Sequence, residues 1–245
     1  MPPNTRQMLA INQEFRNSVR LIHAGLGQLQ AIEDRAADFL HLPLLTLASG
    51  FERLMKVALC FRTLEQTKSF PISGFIPAGR DGHDLKKLLQ MVCEKCFLEP
   101  YMLNIPIASI DFNFIKSEQV SRFIALLSDF GQADRYYFMD IVVERANSNA
   151  KDPEQAWRAI ELLIASDDPM LLEAMNDVRT FDNVRSNITI QIVATLERLV
   201  RAIARLFTIG GIGSEAKASS VYLQRFLTLR DDELGKTRYS TFGIS

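Results

Sequence analysis

The chain has 245 residues, 47% hydrophobic and 23% charged, and its 28 basic and 29 acidic side chains leave a net charge of −1. A chain of this length buries roughly 70–75% of the surface its unfolded form exposes, so its core needs neither disulfides nor a metal. The near balance of charge excludes a global field that draws in nucleic acid or an anionic membrane; binding of either needs a local basic patch.

Apolar residues recur with the helical period, which predicts an all-α fold: an antiparallel helical bundle over residues 1–210, then a C-terminal helix and loose tail over 211–245. The first helix spans residues 5–40, with Met8, Ile11, Phe15, Val19, Ile22, Leu26 and Leu29 on one face. Gly25 and Gly27 weaken it by about 1 kcal/mol each relative to Ala. Pro43 opens a second helix to about Gln66, because proline suits a first helical turn. Residues 67–82 read as loop, punctuated by Pro71, Gly74, Pro77, Gly79 and Gly82. A third helix runs from Asp84 to about Leu98, and Pro100 and Pro106 bound a further connection.

Residues 116–129 form the next helix, and Gly131 breaks it before a segment from Asp134 to Arg145. Asp152-Pro153 and Asp168-Pro169 are two helix starts, each with Asp as cap and Pro at the first position. The clearest pattern is 186–208, where Ile188, Ile192, Leu196, Leu199, Ile203 and Leu206 share a face. Gly210, Gly211 and Gly213 end it, Ser214 caps a last helix to about Leu229, and the polar tail from Arg230 reads as loose.

Three cysteines, Cys60, Cys93 and Cys96, are too few for a disulfide framework and favour a reducing compartment. The N-terminus has no apolar signal region and no apolar run reaches ~18 residues, so a cytoplasmic protein without membrane contact is expected. Cys93 and Cys96 form a C-x-x-C, but a structural zinc site takes four ligands and no second pair exists; buried free thiols are the default. No motif calls for a cofactor. Gly211-Ile212-Gly213 follows a helix and not a strand, so it is no dinucleotide fingerprint.

The polar candidates each have an ordinary counterpart. Glu52 and Lys56 lie at i, i+4 on one helix face, as a surface ion pair or as a pair facing a cleft. In Arg80-Asp81-Gly82-His83-Asp84-Leu85, His83 or Asp84 caps the following helix, or His83 serves catalysis. Arg16, Arg20 and His23 fall within about 60° on the first helix, and Arg198, Arg201 and Arg205 line the late one. Each stripe can hold phosphate oxygens, or can be a solvated face balanced by Glu14, Glu33 or Glu197.

Four runs together resemble a HEPN-type helical protein: Ala48-Ser49-Gly50-Phe51-Glu52-Arg53-Leu54-Met55-Lys56, then Gly82-His83-Asp84-Leu85-Lys86-Lys87-Leu88-Leu89, then Ala133-Asp134-Arg135-Tyr136-Tyr137, then Val184-Arg185-Ser186-Asn187. The resemblance covers roughly residues 43–208. It implies an up-and-down bundle, often dimeric, of the kind found in toxin–antitoxin pairs, phage defence and RNA processing. Catalytic members are metal-independent ribonucleases in which an Arg opening the last core helix is followed, after four to six residues, by a His. Here Arg185 matches the Arg and Asn187 supplies a polar neighbour, but Ile190, Gln191 and Ile192 occupy the places of the His. The spacing recurs from Arg16 to His23 and from Arg35 to His41, on early helices.

Two functions follow. One is a HEPN-like module in a defence, toxin–antitoxin or RNA-related system. It is non-catalytic, forming a homodimer or binding RNA or a nucleotidyltransferase-like protein partner. The other is an active ribonuclease toxin using Arg16 with His23, or His83 with Arg80 or Arg185 brought near by folding.

Overall fold

The computed structural model describes residues 3–32, 40–76, 82–145, 150–166, 169–174 and 181–240. Among these residues the chain is α-helical, with short 3-10 turns and no strand. Helix α1 (Thr5–Gln30) begins with a reciprocal cap, the Asn4 Oδ1 accepting from the Gln7 amide at 2.9 Å and the Gln7 Oε1 from the Asn4 amide at 3.1 Å. Its stripe buries Phe15, Val19, Ile22, Leu26 and Leu29. It ends earlier than the sequence pattern predicts, and residues 33–39, with Glu33 and Arg35, lie outside the described region.

Helix α2 (His41–Thr67) lies at the centre, with Leu44, Leu47, Phe51, Leu54, Met55 and Phe61 all buried. Its longest contact is with α1. The two backbones approach closely where Gly25 faces Leu47 and Gly50 faces Ile22. A Cβ built on Gly50 would stand 2.8 Å from the Ile22 Cγ1 and 3.0 Å from its backbone nitrogen. The glycine that weakens α1 in isolation thus marks a crossing that a larger residue would force apart.

Helix α3 (Leu85–Cys96) is capped by Asp84, whose Oδ1 accepts from the Lys87 amide at 3.1 Å. The connection expected between Pro100 and Pro106 is instead helical: α4 (Glu99–Asn104) is followed by α5 (Pro106–Ile115). Each proline stands in the first turn, where its missing N–H costs no hydrogen bond, so it starts a helix and does not break one. Helix α6 (Glu118–Gln132) is capped by Ser117 and runs through Gly131. A 3-10 turn (Asp134–Tyr136) leads into α7 (Tyr137–Val142), in which no residue is buried.

Helix α8 (Pro153–Ser166) starts as predicted, the Asp152 Oδ1 accepting from the Glu154 amide at 2.9 Å. Helix α9 (Pro169–Ala174) follows; Asp168, its expected cap, is outside the described residues. Helix α10 (Phe181–Thr208) brings Ile188, Ile192, Leu196, Leu199, Ile203 and Leu206 into the core. There Phe207 stacks on Phe15 at 4.7 Å between centroids and meets Phe61 edge-on at 6.1 Å. Each fully buried ring of this kind contributes about 1.5–3 kcal/mol.

Short helices α11 (Ser214–Ser219) and α12 (Gln224–Leu227) pack on α10. Within the tail expected to be loose, the described residues 235–239 are held. The Gln30 side chain donates to the Thr237 carbonyl at 2.7 Å and accepts from the Tyr239 amide at 3.0 Å, and Tyr239 is buried. A polar stretch read as loose is held because its backbone groups find side-chain partners on α1 and α10.

Candidate functional site

Helix α2 presents Glu52 and Lys56 one turn apart, and the Lys56 Nζ meets the Glu52 Oε1 at 2.6 Å. The turn leading into α3 places the His83 Nδ1 2.8 Å from the other oxygen, Oε2. Asp84 is turned away into its cap and also accepts from the Ser128 hydroxyl at 3.3 Å, which fixes the start of α3 and hence the residue before it. The Glu52 carboxylate is only 18% exposed and both its oxygens are engaged. A carboxylate facing a ring nitrogen accepts, so Nδ1 carries a proton and the Nε2 edge of a half-exposed imidazole is left for other partners.

Around this pair lies a small cavity of about 110 Å³, whose walls include Ser49, Glu52, Arg53, His83 and Arg135. Arg53 is ion-paired with Glu14 across from α1. Arg135, in the turn after α6, lies 4.9 Å over the Tyr136 ring; its Nε is buried and makes no hydrogen bond among the described residues. Of the charged wall residues described, Arg53 is balanced by Glu14 and Glu52 by Lys56 behind it, which leaves the Arg135 charge for an anion to meet. The i, i+4 spacing and the Gly-His-Asp run announce Glu52, Lys56 and His83 in the sequence. Arg53 and Arg135 complete the site and are not among its sequence candidates, although both stand in runs that carry the family resemblance.

The remaining candidates are placed elsewhere. Arg16 and His23 do not form a pair: Arg16 is exposed and bonds Gln13 at 2.6 Å, while His23 is 1% exposed. The His23 ring sits edge-on to Phe226 and Tyr239 at 4.9 and 5.0 Å. Burial, with help from the nearby Arg225 charge, lowers its pKa from 6.5 to about 4. It is therefore a neutral core residue at pH 7, not an exposed acid or base.

Arg198, Arg201 and Arg205 are not a solvated stripe. Arg198 covers the Phe114 ring at 4.1 Å. Arg201 is 3% exposed, donates to the Leu229 carbonyl at 2.6 Å and pairs with Asp231. Arg205 bridges both oxygens of buried Asp111 at 2.7 and 3.0 Å. Glu197, expected among solvated balancing charges, is fully buried, because the C-terminal segment covers it. Arg185 lines a different cleft from His83, and Asn187 is exposed. Arg80 lies outside the described residues.

The three thiols are free, and burial pushes Cys60 and Cys93 up to about 11 and Cys96 up to about 12, which keeps them protonated and poor metal ligands. Among the described residues no group of three or more His, Cys, Asp or Glu has the geometry to hold a metal ion. No helix among them is long and apolar enough to cross a membrane. No family model, curated protein or solved structure matches the chain.

Proposed function

We propose that the chain is a HEPN-like helical module that binds RNA without cleaving it, through the cavity at His83, and acts as a homodimer. The observation that carries this is His83 held on Glu52 beside the Arg135 Nε, which is buried without a hydrogen bond among the described residues. A cavity of about 110 Å³ is well below the roughly 300–1,000 Å³ of small-molecule sites, but it admits one group of phosphate size. A phosphodiester delivers such a group while the rest of the strand stays outside. Arg135 is a cation for its oxygens, and the His83 Nε2, opposite the Nδ1–H held by Glu52, is an acceptor for a ribose hydroxyl.

The non-catalytic reading rests on the proton inventory. Cleavage at a 2′-hydroxyl takes one group to remove a proton and one to return it. The cavity walls hold one imidazole, and the Glu52 oxygens are already occupied. Arg185, which matches the family's catalytic Arg, lines another cleft.

Dimerisation rests on the segment from Tyr136 to Val143. Tyr136, Phe138, Met139, Ile141, Val142 and Val143 are each more than half exposed. At on the order of 100 Å² apiece they offer about 600 Å², close to the roughly 800 Å² per partner of a standard interface. The one charge among residues 136–143, Asp140, is paired with Arg145 at 3.0 Å, so closing this face on a second copy strands no charge.

The test is fluorescence anisotropy with a labelled single-stranded RNA, alongside incubation with total RNA in the absence of metal. The reading expects binding that weakens with salt, drops about tenfold or more in His83→Ala and Glu52→Gln, and leaves the RNA intact. Cleavage that disappears in His83→Ala would instead establish the ribonuclease. Binding unchanged in both variants would remove the cavity from the account.

A further inference from the structure

The turn Asp134–Tyr136 belongs to two places at once. Asp134 is 3% exposed, and its Oδ1 accepts from the Lys151 amide at 2.8 Å, which pins the turn to the body. The next side chain, Arg135, enters the wall of the His83 cavity. The one after it, Tyr136, is 52% exposed and opens the apolar face that continues through Val143. The Arg135 guanidinium lies 4.9 Å from the centre of the Tyr136 ring. The cation that meets a phosphate in the cavity therefore rests on a ring of the dimer face.

Helix α7 packs chiefly on this turn, and none of its residues is buried. Six residues are too few for a helix to hold itself in water, so the outer side of Tyr136 has only a short exposed helix for support. In an isologous contact the face of one copy meets the same face of the other, which puts the Arg135 of each beside the interface. Two effects of covering Tyr136 have the same sign. A cation over a ring is held more strongly as the pair loses water. The attraction of the guanidinium for a phosphate also grows as the dielectric around it falls. The opposing effect, removal of water from a guanidinium without a partner, weighs on the empty dimer and is relieved when a phosphate enters.

We infer that the apolar face regulates the His83 cavity: closure on a second copy fixes the Arg135 side chain through Tyr136 and tightens RNA binding, and bound RNA tightens the dimer in turn. This rests on the function proposed above and adds a linkage between its two halves. Tyr136 is a positioning residue, acting on the ligand only through Arg135.

The test compares wild type with the charge-neutral variant Phe138→Gln/Ile141→Gln, reading a labelled RNA trinucleotide by anisotropy and the mass by light scattering. Both positions are more than half exposed, so the variant keeps its fold. Wild type is expected as a dimer that binds one trinucleotide per chain, about fivefold or more tighter than the monomeric variant does. Saturating trinucleotide should lower the wild-type dimer dissociation constant by the square of that factor, since each dimer holds two. Tyr136→Leu, placed in both backgrounds and read where the first is dimeric, should bring the two RNA affinities within about twofold. Equal RNA affinity in the wild-type dimer and the monomeric variant overturns the linkage while the RNA site and the dimer stand. A dimer that RNA does not tighten, or a full difference persisting in Tyr136→Leu, does the same. One trinucleotide per dimer, the mark of a strand bridging two copies, also overturns it. A wild-type monomer, or no RNA binding by any of the proteins, overturns the proposed function and the linkage with it.

Discussion

The Tyr239 hydroxyl and the Glu197 carboxylate stand 2.7 Å apart in a buried seam, with the Gly235 amide on the second oxygen at 2.6 Å. Burial raises the pKa of Glu197 above the usual carboxylate range, and burial together with the neighbouring carboxylate raises that of Tyr239. Removing one donor leaves a buried oxygen without its partner, a loss of about 1–3 kcal/mol. Tyr239→Phe is therefore expected to lower the unfolding free energy by that amount, read as a lower urea midpoint with an unchanged slope. A midpoint equal to wild type would show that the seam contributes nothing to stability.

His23 gives the pH dependence of the same region a definite sign. Its folded pKa, about 4, lies below the unfolded 6.5, so between these values the unfolded chain holds the extra proton. Its contribution is intact above pH 6.5 and is lost as pH falls to 4, by about 3 kcal/mol in all at 1.36 kcal/mol per unit. The buried carboxylates Asp111 and Glu197 have raised pKa values and act in the opposite sense, gaining stability as they protonate. The diagnostic quantity is the difference between wild type and His23→Leu. The variant should gain on wild type as acid is added, and a pH-independent difference would refute the assignment.

Arg205 and Asp111 separate a structural role from a phosphate-binding one. Asp111 is 2% exposed and Arg205 neutralises it. Arg205→Ala leaves a buried carboxylate alone, at a loss of about 3–5 kcal/mol. Pairing it with Asp111→Asn should recover part of that loss in a double-mutant cycle. RNA affinity, measured under conditions where the variants remain folded, is expected to be unaffected.

The exposed face from Tyr136 to Val143 predicts the oligomeric state. Light scattering at micromolar concentration should report a dimer mass for wild type and a monomer for Phe138→Lys/Ile141→Lys. Both positions are more than half exposed, so the folded monomer tolerates the change. A wild-type monomer would leave this face to a different protein.

Periodicity alone located the long helices, because α1, α2 and α10 each bury a continuous stripe. Short helices with few buried residues, α4 and α5, carry too little pattern, and their prolines read equally as starts or breaks. Three of the five site residues were legible: Glu52 and Lys56 from helical spacing, and His83 from its place at a capped helix start. Arg135 was not, since only tertiary packing brings the turn after α6 beside α2. Nor was the fate of His23 or Glu197. A histidine or glutamate beside an apolar stripe looks solvated until a segment more than a dozen residues removed closes over it.

Gln30 has a further consequence. Its two hydrogen bonds join residues 207 and 209 positions apart. At about 5–20 residues per second on the ribosome, the end of the first helix waits roughly ten to forty seconds for those partners to be synthesised. During that interval the face carrying His23 lacks Phe226 and Tyr239 as well. The patch of the nascent first helix around His23 and Gln30 thus stays uncovered after α2 has packed on the rest, and emergence of the C-terminal segment is what ends the exposure.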